Sequence, residues 1–93
     1  MRTELVEIYS DASNAAVLRH PDRRYPGCLV QGDTLHSWVQ SLRSVQREAV
    51  DLNEDATAEL RELEQSLSAL LAHYRSVLLA HNVELPFREA PAA

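Results

Sequence analysis

The chain has 93 residues, enough for one small domain, and its 45% hydrophobic content excludes disorder over most of its length. All nine basic residues are arginine, which excludes chemistry that depends on a lysine amine, such as Schiff-base formation or a P-loop phosphate site. The net charge is −5, and seven acids lie against one arginine between Glu48 and Glu64. This acidic stretch argues against a nucleic-acid partner and favours either a basic partner or a surface that only keeps the protein soluble.

Localisation is predicted from features that the sequence lacks. No run of 18 apolar residues is present, so we expect no membrane-spanning helix and no membrane partner. The first four residues do not show the basic-then-apolar pattern of a signal peptide. The single cysteine, Cys28, cannot form an internal disulfide. Together these features predict a cytoplasmic protein.

The first third of the chain has short apolar runs broken by Pro, Gly and Asn, which is typical of strands. We predict an antiparallel sheet of three strands, at residues 4–9, 15–19 and 28–31. Turn-forming residues fill the first connection, and two prolines mark the second as a loop. The third strand is short and apolar, so we expect it to be the central or best covered strand, with Cys28 a small buried hydrophobe.

After Gly32 the apolar residues recur with 3-4-3-4 spacing, which is typical of helices with one apolar stripe. The first helix is predicted over 35–52, capped by Asp33 or Thr34, and the second over 55–80. A connection of about three residues predicts an antiparallel helical hairpin whose inner face covers the sheet. The stripes expected to form the core are Leu35, Trp38, Leu42, Val45, Ala49 and Leu52, and Leu60, Leu63, Leu67, Leu70, Tyr74 and Val77.

The second helix is expected to start at Asn53 or Asp55 and to end at His81-Asn82, because asparagine tolerates the left-handed conformation that often follows a helix. The segment 85–87 is expected to pack back on the domain, and residues 88–93 to be frayed. The predicted fold class is α+β, a three-stranded antiparallel sheet packed by a two-helix antiparallel hairpin. We predict a single domain, residues 1–93, with a β part at 1–32, the hairpin at 33–82 and a C-terminal extension at 83–93.

The loop after the second strand is rich in arginine and leads towards the start of the first helix. Arg19, Arg23 and Arg24 are candidates for an anion clamp or contact surface there, since helix N-termini also attract anions. The alternatives are that they pair internally with Asp22 and Asp33, or that the loop is simply solvated. Neither a His-x-x-x-His nor a Cys-x-x-Cys motif is present. We therefore expect no metal, no cofactor and no enzymatic activity.

The same stretch resembles a family of small uncharacterised bacterial proteins, mostly actinobacterial. Their pattern is Val-x-Arg-x-Pro-x-Arg-x-Phe-Pro-Gly-Val-x-Val-Gln-Gly-Asp-Ser-Leu, and here Tyr25 replaces Phe, Cys28 replaces Val and Thr34 replaces Ser. The resemblance extends to the exit of the second helix, and it implies no catalytic role for any residue. The positions that fit include Arg19, Pro21, Pro26, Gly27, Val30, Gln31, Gly32, Asp33 and Leu35.

By analogy of size and character, the expected function is that of an immunity-type inhibitor, which neutralises a toxin or enzyme by occluding it without catalysis. Its partner is expected to have a basic surface. One alternative is an accessory protein that binds a small molecule or anion at the arginine loop, and another is a homodimeric structural module. The candidate partner-binding residues are Arg19, Arg23, Arg24, Tyr25, Asp33, Glu54, Asp55, Glu59 and Glu62.

Overall fold

The computed structural model describes residues 1–89, which divide into two compact units, Met1–Gln31 and a helical unit that begins at Gly32. The predicted boundary between the β part and the hairpin lies one residue from this division. The single-domain organisation stays a prediction. Residues 90–93, which belong to the tail predicted to be frayed, lie outside the described residues.

The first unit is an antiparallel sheet of three strands, as predicted: β1 (Glu7–Ser10), β2 (Ala16–Arg19) and β3 (Gly27–Leu29). Their order is β1-β2-β3, so the prediction that the third strand is central is wrong. β1 starts three residues later than predicted. The register explains this start, because Glu7 pairs with Arg19, and β2 ends at Arg19 immediately before the loop. Residues 4–6 therefore find no partner in β2.

The burial of the sheet differs from the expectation for its third strand. All three residues of β3 are exposed, including Cys28, so the prediction of a buried cysteine is wrong. β2 is half-buried along its length. The difference follows from position, because an edge strand has a neighbouring strand on one side only, whereas β2 has one on each side. Hydropathy alone does not reveal which strand is central.

The second unit is a hairpin of α1 (Gly32–Glu48) and α2 (Glu54–Ala80), as predicted. α1 begins three residues earlier and ends four residues earlier than expected, so the connection has five residues. Asp33 and Thr34 therefore lie in the first turn and do not cap α1, and the Asp33 carboxylate accepts a hydrogen bond from the Thr34 N–H at 3.0 Å. The N-cap of α2 is Asn53, whose Oδ1 accepts from the Ala56 N–H at 2.7 Å.

The exit from α2 is confirmed at His81-Asn82. Asn82 has a φ of 56°, the left-handed conformation. The chain then turns so that the Val83 N–H donates to the Leu78 carbonyl at 2.9 Å. This reversal brings the following segment back along the hairpin, where the ring of Phe87 stacks on His36 at 4.1 Å between centroids. The prediction that residues 85–87 pack back is confirmed.

The core of the helical unit is smaller than the sequence predicts. Only Leu35 (5% exposed) and Val39 (0%) are buried large side chains in the described residues. Leu67 is half-buried, and Leu70 is 54% exposed, so the prediction that Leu70 belongs to the core is wrong. A neighbouring helix covers only the part of an apolar stripe that faces it, and the rest stays open. The stripe residues on the open part are Trp38, Val45, Leu52, Leu63, Leu70 and Val77.

The two helices approach closely at one end of this core. A Cβ atom built on Gly32 would overlap the ring of Tyr74 from α2. Any larger residue at the start of α1 would therefore require the end of the Tyr74 side chain to move. Gly32 is itself buried. The contact pairs the first residue of α1 with the later half of α2, which fixes the antiparallel arrangement.

Candidate functional site

The arginine loop, residues 20–26, joins β2 to β3, and its backbone is held by three hydrogen bonds. The Arg23 N–H donates to the His20 carbonyl at 2.9 Å, and the Asp22 N–H donates to the His20 Nδ1 at 3.0 Å. From the end of β2, the guanidinium of Arg19 donates to the Arg23 carbonyl at 3.0 Å. None of these bonds uses the side chains of Arg23 or Arg24. The loop backbone is therefore set independently of those two side chains.

Arg19 is paired within the sheet. Its guanidinium forms an ion pair with Glu7, its partner across the β1–β2 register, and hydrogen bonding to that carboxylate raises the pKa of Arg19. Asp22 instead pairs with Arg2, with 3.1 Å between Nη2 and Oδ2. Internal pairing therefore holds for Arg19, but its partner is Glu7 and neither of the two acids considered from the sequence.

Arg23 and Arg24 differ from Arg19. Within residues 1–89 neither guanidinium forms an ion pair or a hydrogen bond. Arg24 lies over the ring of Tyr25, with 5.3 Å from its Cζ to the ring centroid, and Tyr25 is exposed. Two cationic groups and one aromatic ring are thus gathered on the loop, and the acid next to them in sequence, Asp22, pairs with Arg2. Their role in partner binding stays a prediction.

A cavity open to solvent, here called the loop cavity, lies beside these groups in the first unit. Its volume is about 440 Å³. Its apolar lining comes from β2 and β3, and its polar lining comes from the loop. The lining residues are Leu18, Cys28, Leu29 and Gly27 from the strands, and His20, Arg23, Arg24 and Tyr25 from the loop.

The cysteine and histidine that share this cavity do not form a nucleophile–base pair. No hydrogen bond joins Cys28 to His20 in the described part of the chain, and the Nδ1 of His20 already accepts from the Asp22 backbone. A thiol needs such a base to become a nucleophile. Across residues 1–89, no three His, Cys, Asp or Glu side chains are placed to hold a metal ion together.

One side of the hairpin, here called the polar face, is closed by ion pairs and hydrogen bonds. Arg43 of α1 donates to Glu64 and to Ser68 of α2, both at 3.1 Å, and Ser68 donates to Glu64 at 2.7 Å. The Glu64 side chain is only 17% exposed. The hydrogen bond from Ser68 and then that from Arg43 hold the pKa of Glu64 below its ordinary value.

The C-terminal segment completes the polar face. Besides the stacking of Phe87 on His36, Glu89 forms an ion pair with Arg75, whose hydrogen bond lowers the pKa of the Glu89 carboxyl. Sequence reasoning did not identify this network. The spacing of Glu64 and Ser68, one helical turn apart, is a local signal for their bond. The pairings to Arg43 and Arg75 join residues distant in sequence, and no local pattern indicates them.

The opposite side of the hairpin, here called the apolar face, carries five large hydrophobic side chains between 39% and 54% exposed. On each helix they recur every seven residues, which returns to nearly the same side of an α-helix. Trp38 is 47% exposed and is the largest of the five. The apolar face consists of Trp38 and Val45 from α1 and Leu63, Leu70 and Val77 from α2.

Three of the predicted acidic residues border the apolar face, and all are exposed. Glu59 is one turn before Leu63, Asp55 is one turn before Glu59, and Glu62 lies three residues after it. Glu54 points to the other side of α2, in the first turn beside the N-cap. The hairpin arginines lie towards the polar face: Arg43 and Arg75 bond there, and Arg47 and Arg61 are one turn from Arg43 and Glu64.

The predicted site residues therefore fall into two groups within separate units. Arg23, Arg24 and Tyr25 line the loop cavity, while Asp55, Glu59 and Glu62 border the apolar face. Asp33 lies in the first turn of α1, in the helical unit. Between residues 1 and 89, no helix is both long and apolar enough to cross a membrane. A family model described as a family of unknown function matches residues 1–87, and no curated protein and no solved structure matches the chain.

Proposed function

The chain belongs to a family of unknown function (DUF6959), which assigns it no activity, and we propose from its geometry that it is a non-enzymatic protein-binding module. The observation that carries this proposal is the apolar face of the hairpin. Five large hydrophobic side chains lie together there, each with more than a third of its surface open. Contiguous apolar surface of this kind is typical of sites where another protein docks.

The charges around the apolar face favour a basic partner. Asp55, Glu59 and Glu62 border it, and none of them forms an ion pair within residues 1–89. The arginines of the hairpin lie towards the polar face. A second copy of the chain would bring two acidic borders together, so this distribution favours a basic protein over a homodimer.

The most concrete form of this proposal is an immunity-type inhibitor, acting in the cytoplasm, that occludes the basic active-site cleft of a toxin or enzyme. The apolar face would exclude water from the cleft, and the acidic border would speed encounter by long-range attraction. Occlusion requires no catalytic group.

The finer family resemblance is part of the same proposal. We propose that the stretch from Arg19 to Leu35 is a signature of bacterial, mostly actinobacterial, family members. Several of its residues have structural reasons to be there: Arg19 pairs with Glu7, and Gly32 lies against the ring of Tyr74. Such a signature would preserve the fold of the two units and would not by itself report what they bind.

The experiment begins with affinity capture from the native host, using the parent protein and Leu70→Glu side by side. The expected result is one protein with a basic surface that the parent retains and Leu70→Glu loses. Leu70 is half exposed, so this variant is expected to fold as the parent does. A captured partner with an acidic surface would contradict the proposal.

The acidic border is then tested kinetically with the captured partner. Reversing Glu59 and Glu62 to arginine is expected to slow association by about tenfold at low salt, with a smaller change in dissociation. The matched control reverses Asp11 and Glu84, two exposed acids that also form no ion pair in residues 1–89. If both variants slow association equally, the effect comes from the net charge of the protein and not from the acidic border. The inhibitor proposal would then lose this support.

A further inference from the structure

We propose that the loop cavity binds a small organic carboxylate, with its acid group held by Arg23 and Arg24 and its apolar body against β2 and β3. The cavity lies entirely within the first unit, and the residues involved do not include the apolar face. The inference is therefore independent of the protein-binding function proposed above, and either can fail alone.

Charge is the first observation. Of the three arginines in this region, Arg19 is neutralised by Glu7, and the one acid inside the loop, Asp22, is engaged by Arg2. Arg23 and Arg24 line the cavity without an ion pair in residues 1–89. Two neighbouring cations with no local counter-charge attract an anion, and the planar guanidinium fork matches a carboxylate in geometry.

Pre-organisation is the second observation. The hydrogen bonds from Arg23 to His20 and from Arg19 to the Arg23 carbonyl fix the backbone that carries both cations. Pro21 and Pro26 restrict the loop further, because each fixes its own φ. Arg24 is oriented over the ring of Tyr25. Because folding already orders this loop, a ligand would lose little free energy in ordering it on binding.

The wall of the cavity is the third observation, and it indicates what kind of anion fits. Leu18, Cys28 and Leu29 contribute an apolar lining, which an inorganic ion would not use. The volume of about 440 Å³ lies within the ordinary range for small-molecule sites. An acid group joined to a compact aromatic or aliphatic body would use both the cations and the apolar wall.

Gly27 provides a way to fill the cavity without disturbing its surroundings. It lines the cavity, and a Cβ atom built on it has nothing within 4 Å. Its φ is not positive, so a side chain is accepted without backbone strain. Valine is also favoured in strands. Gly27→Val is therefore expected to fold normally while occupying space that the ligand needs.

The experiment is a titration of the full chain with benzoate, followed by calorimetry and by amide chemical shifts. The parent is expected to bind one benzoate per chain, with shifts centred on residues 18–29. Replacing Arg23 and Arg24 by alanine is expected to weaken binding by at least about tenfold, because charge-assisted hydrogen bonds are lost. Gly27→Val is expected to weaken it similarly through loss of space.

The matched control for charge replaces Arg47 and Arg61 by alanine, which removes two arginines of the helical unit that form no ion pair within residues 1–89. It is expected to bind benzoate as the parent does. Benzyl alcohol tests the need for the acid group, and inorganic phosphate tests the need for the apolar body; both are expected to bind at least tenfold more weakly than benzoate. The proposal would be overturned if benzoate showed no saturable binding, or if benzyl alcohol or phosphate bound as tightly as benzoate. It would also be overturned if the Arg47 and Arg61 control lost as much benzoate affinity as the Arg23 and Arg24 variant.

Discussion

The two faces of the helical hairpin are built from the same two helices, yet they differ in almost every interaction. On the polar face, Arg43 and Arg75 each have a carboxylate partner, and a returning segment stacks Phe87 over His36. On the apolar face, the large hydrophobic side chains have no comparable cover. The polar face is held by ion pairs and stacking, whereas the apolar face leaves large hydrophobic side chains open to solvent.

The apolar stripe of these helices has a covered part and an open part. The part that faces the neighbouring helix includes Leu35 and Val39, which form the buried core. The part rotated away from that helix, including Trp38 and Leu70, is left open. Within the hairpin, each helix covers only the part of the other helix that faces it. Buried and open positions of the same stripe therefore alternate along the helix.

The largest expected effect is the difference in stability between truncating a buried leucine and truncating an exposed one. Leu35→Ala is expected to lower the free energy of unfolding by about 2–5 kcal/mol, because it removes buried methyl groups and leaves a cavity. Leu70→Ala is expected to cost less than about 1 kcal/mol, since its side chain is already half exposed. Urea unfolding of both variants measures the difference. Equal costs would show that something covers the apolar face in solution.

A smaller effect is expected where the helices approach most closely. Gly32→Ala is expected to destabilise the protein by about 1–3 kcal/mol, because the added methyl group displaces the Tyr74 ring. The better helix propensity of alanine offsets part of this cost. Adding Tyr74→Leu should recover stability relative to Gly32→Ala alone, as measured by thermal unfolding. If Tyr74→Leu worsens the variant instead, the ring is not the source of the cost.

The smallest expected effect concerns pH and the polar face. Folding lowers the pKa of Glu64, so its contribution is complete above the unfolded value, about 4.3 for glutamate, and is lost as the pH falls through the folded value. Stability of the parent should therefore fall more steeply with acidification than that of Glu64→Gln. The control is Glu59→Gln, which should retain the steep fall of the parent. Parallel curves for parent and Glu64→Gln would show that this network contributes nothing.

The sequence predicts the elements better than it predicts their surroundings. Hydrophobic spacing and the side-chain chemistry of Asn53 and Asn82 are local, and they identified the hairpin, the cap of α2 and its exit. The start of β1 depends on where β2 ends, because Glu7 pairs with Arg19, and this pairing joins residues distant in sequence. The exposure of Cys28 depends on strand order for the same reason.

The candidate sites show the same division. Charge counting identified the arginine loop and the acidic residues of α2, but it did not distinguish Arg19 from Arg23 and Arg24. That distinction comes from the register that places Glu7 opposite Arg19. Likewise, the helical period places Glu59 and Leu63 on one side of α2, but it does not indicate which side faces α1. Contacts between residues distant in sequence decide which arginine is paired and which side of α2 faces α1.

The chain has one tryptophan and one cysteine, and both are exposed. Trp38 lies on the hairpin and Cys28 on the sheet, so one unit carries a natural fluorophore and the other a unique site for labelling. A thiol-reactive acceptor dye on Cys28 makes the pair suitable for resonance energy transfer without a single substitution. The same labelled sample then reports the distance between the units, through transfer efficiency, and any change in it when a ligand or partner arrives.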